Sequence, residues 1–127
     1  MTNITEQDRL TELESVIERG QHTFLEVGHA LLEIRNRRLY REQFATFEDY
    51  CRERWQWSYS RAYQLMDAAQ ISTIVEVSNE AQARELSSLK ADPEKLKEVW
   101  DVAVERAQGV PTAITVKAVR EELVPKP

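Results

Sequence analysis

All seven positive charges between residues 35 and 61 are arginines, namely Arg35, Arg37, Arg38, Arg41, Arg52, Arg54 and Arg61, and the acids over the same span are Glu42, Glu48, Asp49 and Glu53. A guanidinium offers a planar fork of donors that fits phosphate oxygens bidentately and reads the guanine edge, so such a cluster suits a confined anionic surface. A solvated helix face would use the same residues. The rest of the chain runs the other way. Net charge is −5, with two positive and five negative charges over residues 1–20 and eight positive against ten negative over residues 71–127. An anionic partner would be met by the middle of the chain and not by an overall field. Within that middle, Tyr59, Ser60, Arg61, Tyr63 and Gln64 form a dense run of side chains that hydrogen-bond base edges and phosphates.

Other chemistry is sparse. His22 and His29 are seven residues apart, not the four of a helical zinc pair, and no cysteine or carboxylate pattern completes a site, so no metal is expected. With 3 Gly the chain can hardly build a phosphate-cradling loop, and it has neither a nucleophile elbow nor a CxxC pair. No catalytic residue, no cofactor and no enzymatic activity follow from these residues. The single Cys51 excludes an internal disulfide and lies in a predicted helix among large apolar side chains, where a thiol serves packing.

Positioning the arginines falls to helices. The chain has 127 residues, 42% hydrophobic and 31% charged, which fits one folded unit or two helical subdomains. Three of its 4 Pro lie after residue 110, leaving the first ninety residues with few breaks, and an all-α fold of about six helices follows. The polar start MTNITEQDRL has no leader-like segment and no apolar run reaches membrane-spanning length, so a cytoplasmic chain with no membrane partner is expected. Leu10, Leu13 and Ile17, then Phe24, Val27, Gly28, Leu31 and Ile34, keep helical spacing. They read either as one helix continuous from 5 to about 38, weakened at Gly20, or as a separate N-terminal arm over 1–20 preceding a helix-turn-helix domain over 21–70.

Thr46 caps a short helix over about 47–54 with Glu48 and Asp49 in its first turn, and Ser58 caps the next, to about Ala69. Residues 71–77 are β-branched but have no partner strand, and read as a packed connector. A C-terminal helical subdomain over 71–127, packed on the first, then follows. Ser78 caps a helix of about ten residues carrying Ala81, Leu86 and Leu89. Asp92 and Pro93 open a helix with Leu96, Val99, Trp100, Ala103, Val104 and Ala107 on one face, ended by Gly109. Pro111 and Thr112 start a last helix with Val116, Val119 and Leu123 inward.

A helix-turn-helix needs two short helices, a tight turn, and a second helix whose outward N-terminal residues reach base edges. Trp55, Trp57, Ala62 and Leu65 fall where that motif is apolar, and the small Ala62 lets the helices approach. Gln56 stands in the turn where glycine is common because φ is often positive. Helix 58–69 would then carry the base contacts: Arg61 to guanine, Gln64 to adenine directly or through water, Tyr59 and Ser60 to a thymine methyl or a phosphate. Arg35, Arg37, Arg38, Arg41, Arg54, Ser58 and Tyr63 would hold the DNA backbone. A plain helical hairpin with an aromatic core would also fit the segment WQWSYSRAYQL.

Residues 55–123 resemble the helical DNA-binding region of ParB-type partition proteins and relatives such as KorB. The likeness lies in the Ser-initiated WSYSRAYQLMDAA, in the element Gln82-Ala83-Arg84-Glu85-Leu86-Ser87-Ser88-Leu89, in Asp92-Pro93-Glu94 with the long helix after it, and in the segment Pro111–Val119. The family's nucleotide-binding domain is absent and the link after the recognition helix is shorter, so CTP-driven clamping is not implied. The resemblance implies duplex DNA as partner and a role in transcription regulation, plasmid partition or replication of a phage or other mobile element. A homodimer is expected, because one such motif reads only a few base pairs. From a different class, a mobile-element module that uses the same scaffold and its acidic stretches on a host protein, such as a defence complex, would also fit the charge of −5.

Overall fold

Side-chain caps and left-handed exits set the helix ends in this chain, and its computed structural model describes residues 4–18 and 24–126. Within them the protein is all-α: α1 (Ile4–Glu18), α2 (Phe24–Asn36), α3 (Phe47–Trp55), α4 (Tyr59–Ser72), α5 (Glu80–Leu86), a 3₁₀ turn at Ser87–Leu89, α6 (Pro93–Ala107) and α7 (Ala113–Leu123). No strand occurs among the described residues, and no helix there is long and apolar enough to cross a membrane. The chain divides after Ala69 into two compact units, with α4 running through the division.

In the first unit α1 and α2 are separate helices packed on each other, not one continuous rod. The weak point at Gly20 lies outside the described residues. Leu10, Leu13 and Ile17 of α1 enter the same core as Ala30, Leu31 and Ile34 of α2, so residues 4–18 are part of this core. Each buried leucine or isoleucine is worth roughly 1.5–3 kcal/mol of transfer free energy, which explains why α1 folds back instead of standing free. Ion pairs set its direction. Arg9 grips Glu33 with Nε and Nη2, both at 2.7 Å, and Arg41 Nη2 meets Glu6 at 2.6 Å, so α1 starts where α2 ends.

Helix α2 stops at Asn36 because Arg38 turns left-handed, with φ 54°, and Leu39 N–H then reaches back to the Ile34 carbonyl at 3.0 Å. That turn buries Leu39 and leads into an aromatic group of Tyr40, Phe44, Phe47 and Tyr50, with ring centroids 5.6–6.2 Å apart. The Tyr50 hydroxyl donates to Glu14 at 2.8 Å, tying α3 to α1. Cys51 is fully buried, and desolvation pushes its thiol up to about 12, so it packs and does not react. Gly28 on α2 faces α4 so closely that an added Cβ would strike the Leu65 carbonyl and lie 2.9 Å from Ala69 Cβ.

In the second unit α7 packs on both α5 and α6, around Leu86, Leu96, Val99, Trp100, Ala103, Val116 and Val119. Asp92 caps α6 through Lys95 N–H, with Pro93 in its first turn as the sequence predicts. Four details differ from expectation. Asn79, not Ser78, caps α5, because its Oδ1 accepts from Gln82 N–H at 2.9 Å while Gln82 Oε1 accepts from Ser78 N–H at 2.6 Å. The buried Gln82 also donates to the Pro111 carbonyl at 2.6 Å, a polar staple invisible to a hydrophobic pattern. The left-handed residue after α6 is Gln108, with φ 55°, one position before Gly109. Ala81 and Ala107 are exposed and Leu123 half-buried, each lying at the edge of its stripe. Helix α4 runs to Ser72, three residues past its expected end, so the buried Ile71 belongs to the helix, and Val75 and Val77 are buried in the connector that follows.

Two stability outcomes are expected. Gly28→Ala should cost about 3 kcal/mol, read by urea denaturation, because the new methyl meets backbone that cannot rotate away. The Arg9 guanidinium beside Glu33, assisted by Arg37, lowers its carboxyl from 4.5 to about 2. A depressed carboxyl stabilises the fold fully above its unfolded value and loses that contribution as pH falls through the folded one. Glu33→Gln should therefore cost roughly 1–2 kcal/mol at pH 7, allowing for the partly exposed partners, and the gap from the parent should close between pH 4.5 and 2.

Candidate nucleic-acid interface

The three residues between α3 and α4 make the tight turn that a helix-turn-helix requires. Thr46 Oγ1 accepts from Asp49 N–H at 3.0 Å and opens α3 as expected. At its other end Gln56 is left-handed, with φ 58° and ψ 34°; its N–H bonds the Arg52 carbonyl at 3.0 Å and Trp57 N–H bonds Cys51 at 3.2 Å. The turn thus takes the positive φ that glycine usually supplies, and the Gln56 amide repays part of the strain by donating to the Glu53 carbonyl at 3.0 Å. Ser58 Oγ accepts from Arg61 N–H at 3.1 Å and caps α4. Trp55 and Trp57 are half-buried and stacked 5.6 Å apart over the turn.

Helix α4 has two unlike faces. Ala62 is wholly buried, with Leu65, Met66 and Ala69 beside it, while Tyr59, Ser60 and Gln64 are exposed and Arg61 is half-buried. Arg61 Nη1 lies 3.5 Å from Gln64 Oε1, one turn along, so the two proposed base readers share a ridge. Tyr63 is half-buried against the core, and its ring meets that of Tyr59 at 4.2 Å. Hydrogen bonding to Tyr63, with the Glu48 charge acting the same way, holds the Tyr59 hydroxyl up at about 12, a neutral donor at ordinary pH.

The arginine cluster is much less free than its sequence suggests. Arg37 pairs with Glu33 at 2.7 Å, Arg41 with Glu6 at 2.6 Å and Arg52 with Asp49 at 2.6 Å. Arg54 meets Glu14 at 3.4 Å and also Glu18, and lies 4.0 Å over the Trp55 ring. Three of these acids, Glu6, Glu14 and Glu18, come from α1, so the local excess of positive charge is cancelled by residues 35 or more positions away. Arg35 is different, stacked 5.7 Å from the Tyr63 ring with its Nε on Asn36. Arg38 has no hydrogen-bonded or ionic side-chain partner among the described residues, and sits at a left-handed position that costs a non-glycine residue roughly 1–2 kcal/mol.

Arg35, Arg38 and Arg41 line one cleft of about 430 Å³, together with the first turn of α3 and with Tyr59 and Tyr63 of α4. These are three of the arginines that the sequence suggests for the DNA backbone; Thr46, Phe47 and Glu48 join them through the fold, and in the sequence they signal only a capped helix start. No metal-binding group of three occurs among the described residues; His29 is exposed, and His22 lies outside them. No protein-family model, curated protein or solved structure matches the chain.

The turn itself yields an expectation. Gln56→Gly should relieve the left-handed strain and stabilise the first unit by about 0.5–1 kcal/mol, seen as a rise in the urea midpoint at unchanged slope. An unchanged or lower midpoint would mean that the Gln56 amide bond to Glu53 outweighs the strain.

Proposed function

We propose that the chain is a sequence-specific duplex DNA-binding protein that inserts the N-terminal half of α4 into the major groove. The observation that carries this reading is the division of α4: a fully buried inner face at Ala62, Leu65 and Met66 holds the helix rigidly, while Ser60, Arg61 and Gln64 stand on its outer side. Rigid seating matters because base discrimination depends on placing a side chain to within fractions of an ångström. Arg61 is the guanine reader and Gln64 the adenine reader, with Tyr59 and Ser60 beside them. The resemblance of residues 55–123 to ParB-type proteins supports a role as regulator or partition or replication accessory of a mobile element, acting as a homodimer on paired half-sites.

Selection of bound fragments from random duplexes should yield a preferred sequence and an affinity that falls with salt. Arg61→Ala should then flatten the preference at one position by about 1–3 kcal/mol while binding to other sequences persists. A parent protein that selects no sequence and shows no salt dependence would overturn the reading. One observation favours a second reading, a module that binds a host protein. The pairing of Arg37, Arg41 and Arg54 with the protein's own carboxylates leaves a weakly basic interface on an acidic chain. In that case co-purification with a host protein would survive Arg61→Ala, and duplex binding would be absent.

A further inference from the structure

We propose that the cleft between the end of α2, the start of α3 and the start of α4 is an anchoring site for one phosphate group of the duplex backbone, held chiefly by Arg35 and Arg38. This rests on the DNA reading for the identity of the ligand, but the site itself follows from the cleft. Of the three arginines that line it, Arg41 is already engaged by Glu6, whereas Arg35 and Arg38 have no carboxylate partner among the described residues. The opposite wall is the first turn of α3. Its cap, Thr46 Oγ1, is taken by Asp49 N–H, which leaves the Phe47 and Glu48 amides without hydrogen-bond partners among the described residues. Two orphan amides at a helix start and two guanidiniums around a space of about 430 Å³ present converging donors to an anion. Tyr59 adds a neutral hydroxyl at the rim, next to the α4 face assigned to base contacts.

One lining group opposes an anion. Glu48 is exposed at the cleft and has no ion-pair partner among the described residues, so it lowers affinity for any phosphate there. Arg38 supplies the complementary clue. Glycine would occupy its left-handed position at lower strain, yet a guanidinium is held there, with its own carbonyl accepting from Arg41 Nη1 at 3.0 Å. Strain kept at a position whose side chain has no hydrogen-bond or ion-pair partner among the described residues points to a partner outside the protein.

The two residues give tests of opposite sign. Arg38→Gly should raise the melting temperature, because φ 54° suits glycine, and should weaken binding to all duplexes alike, reducing the log–log salt slope by about 0.9. Glu48→Gln should tighten duplex binding several-fold, a gain that misfolding cannot mimic. Arg106→Gln, which removes a charge paired with Glu122 in the second unit, serves as the control and should leave binding unchanged. Arg38→Gly binding with parental affinity and slope would overturn the site while leaving the DNA reading intact. If the parent binds no duplex, titration with inorganic phosphate decides: saturable NMR shifts of the Phe47 and Glu48 amides that vanish in Arg38→Gly keep the site and remove the DNA reading. Absence of those shifts would then remove both.

Discussion

The seat of α4 depends on one close approach, in which Gly28 of α2 lies against the Leu65 carbonyl and the Ala69 methyl with no room for a Cβ between them. Glycine inside a helix costs about 1 kcal/mol relative to alanine, so its presence in α2 reflects this packing demand and not local preference. Ala62, Ala68 and Ala69 keep the buried face of α4 equally small. Backbone contact at that range leaves α4 little freedom to roll, and its roll decides which side chains face outward. A roll of one residue would carry Arg61 into the buried place of Ala62 or, in the other direction, Leu65 into the exposed place of Gln64.

Electrostatics in the first unit is organised by pairing and not by accumulation. Glu33 accepts from both Arg9 and Arg37, and Glu14 takes both the Tyr50 hydroxyl and Arg54. Most of these partners are partly exposed, so individual pairs add little to stability, although together they define how α1 and α3 lie on the core. Their larger effect is subtractive. A guanidinium already facing a carboxylate releases fewer counterions when it meets a phosphate, and the surface left for an external anion contracts to the part of the cleft where Arg35 and Arg38 stand.

Backbone strain is concentrated at helix exits. Arg38, Gln56 and Gln108 are the non-glycine residues with positive φ among those described, and each follows the last turn of an α-helix. At the first two, the next residue reaches back to an open carbonyl, Leu39 to Ile34 and Trp57 to Cys51, so the hydrogen bond and the burial of an apolar neighbour offset the strain. Both border the face assigned to DNA, and each sets the direction in which the following segment leaves.

Sequence alone was sufficient for whatever depends on neighbours within about one helical turn. The caps at Thr46, Ser58 and Asp92, the start of α7 at Pro111 and Thr112, the apolar stripe of α6 and the buried Ala62 were all legible, because capping bonds and helical periodicity span three or four residues. Shifts such as Asn79 for Ser78 and Gln108 for Gly109 are single-residue choices between adjacent candidates of similar propensity. The state of the arginines could not be read that way. Whether Arg41 or Arg54 is available depends on Glu6, Glu14 and Glu18, which reach them only because α1 folds back to bury Leu10, Leu13 and Ile17. Charge neutralisation acts through space over a few ångströms, and a linear count of charges cannot see which distant carboxylate has been carried into range.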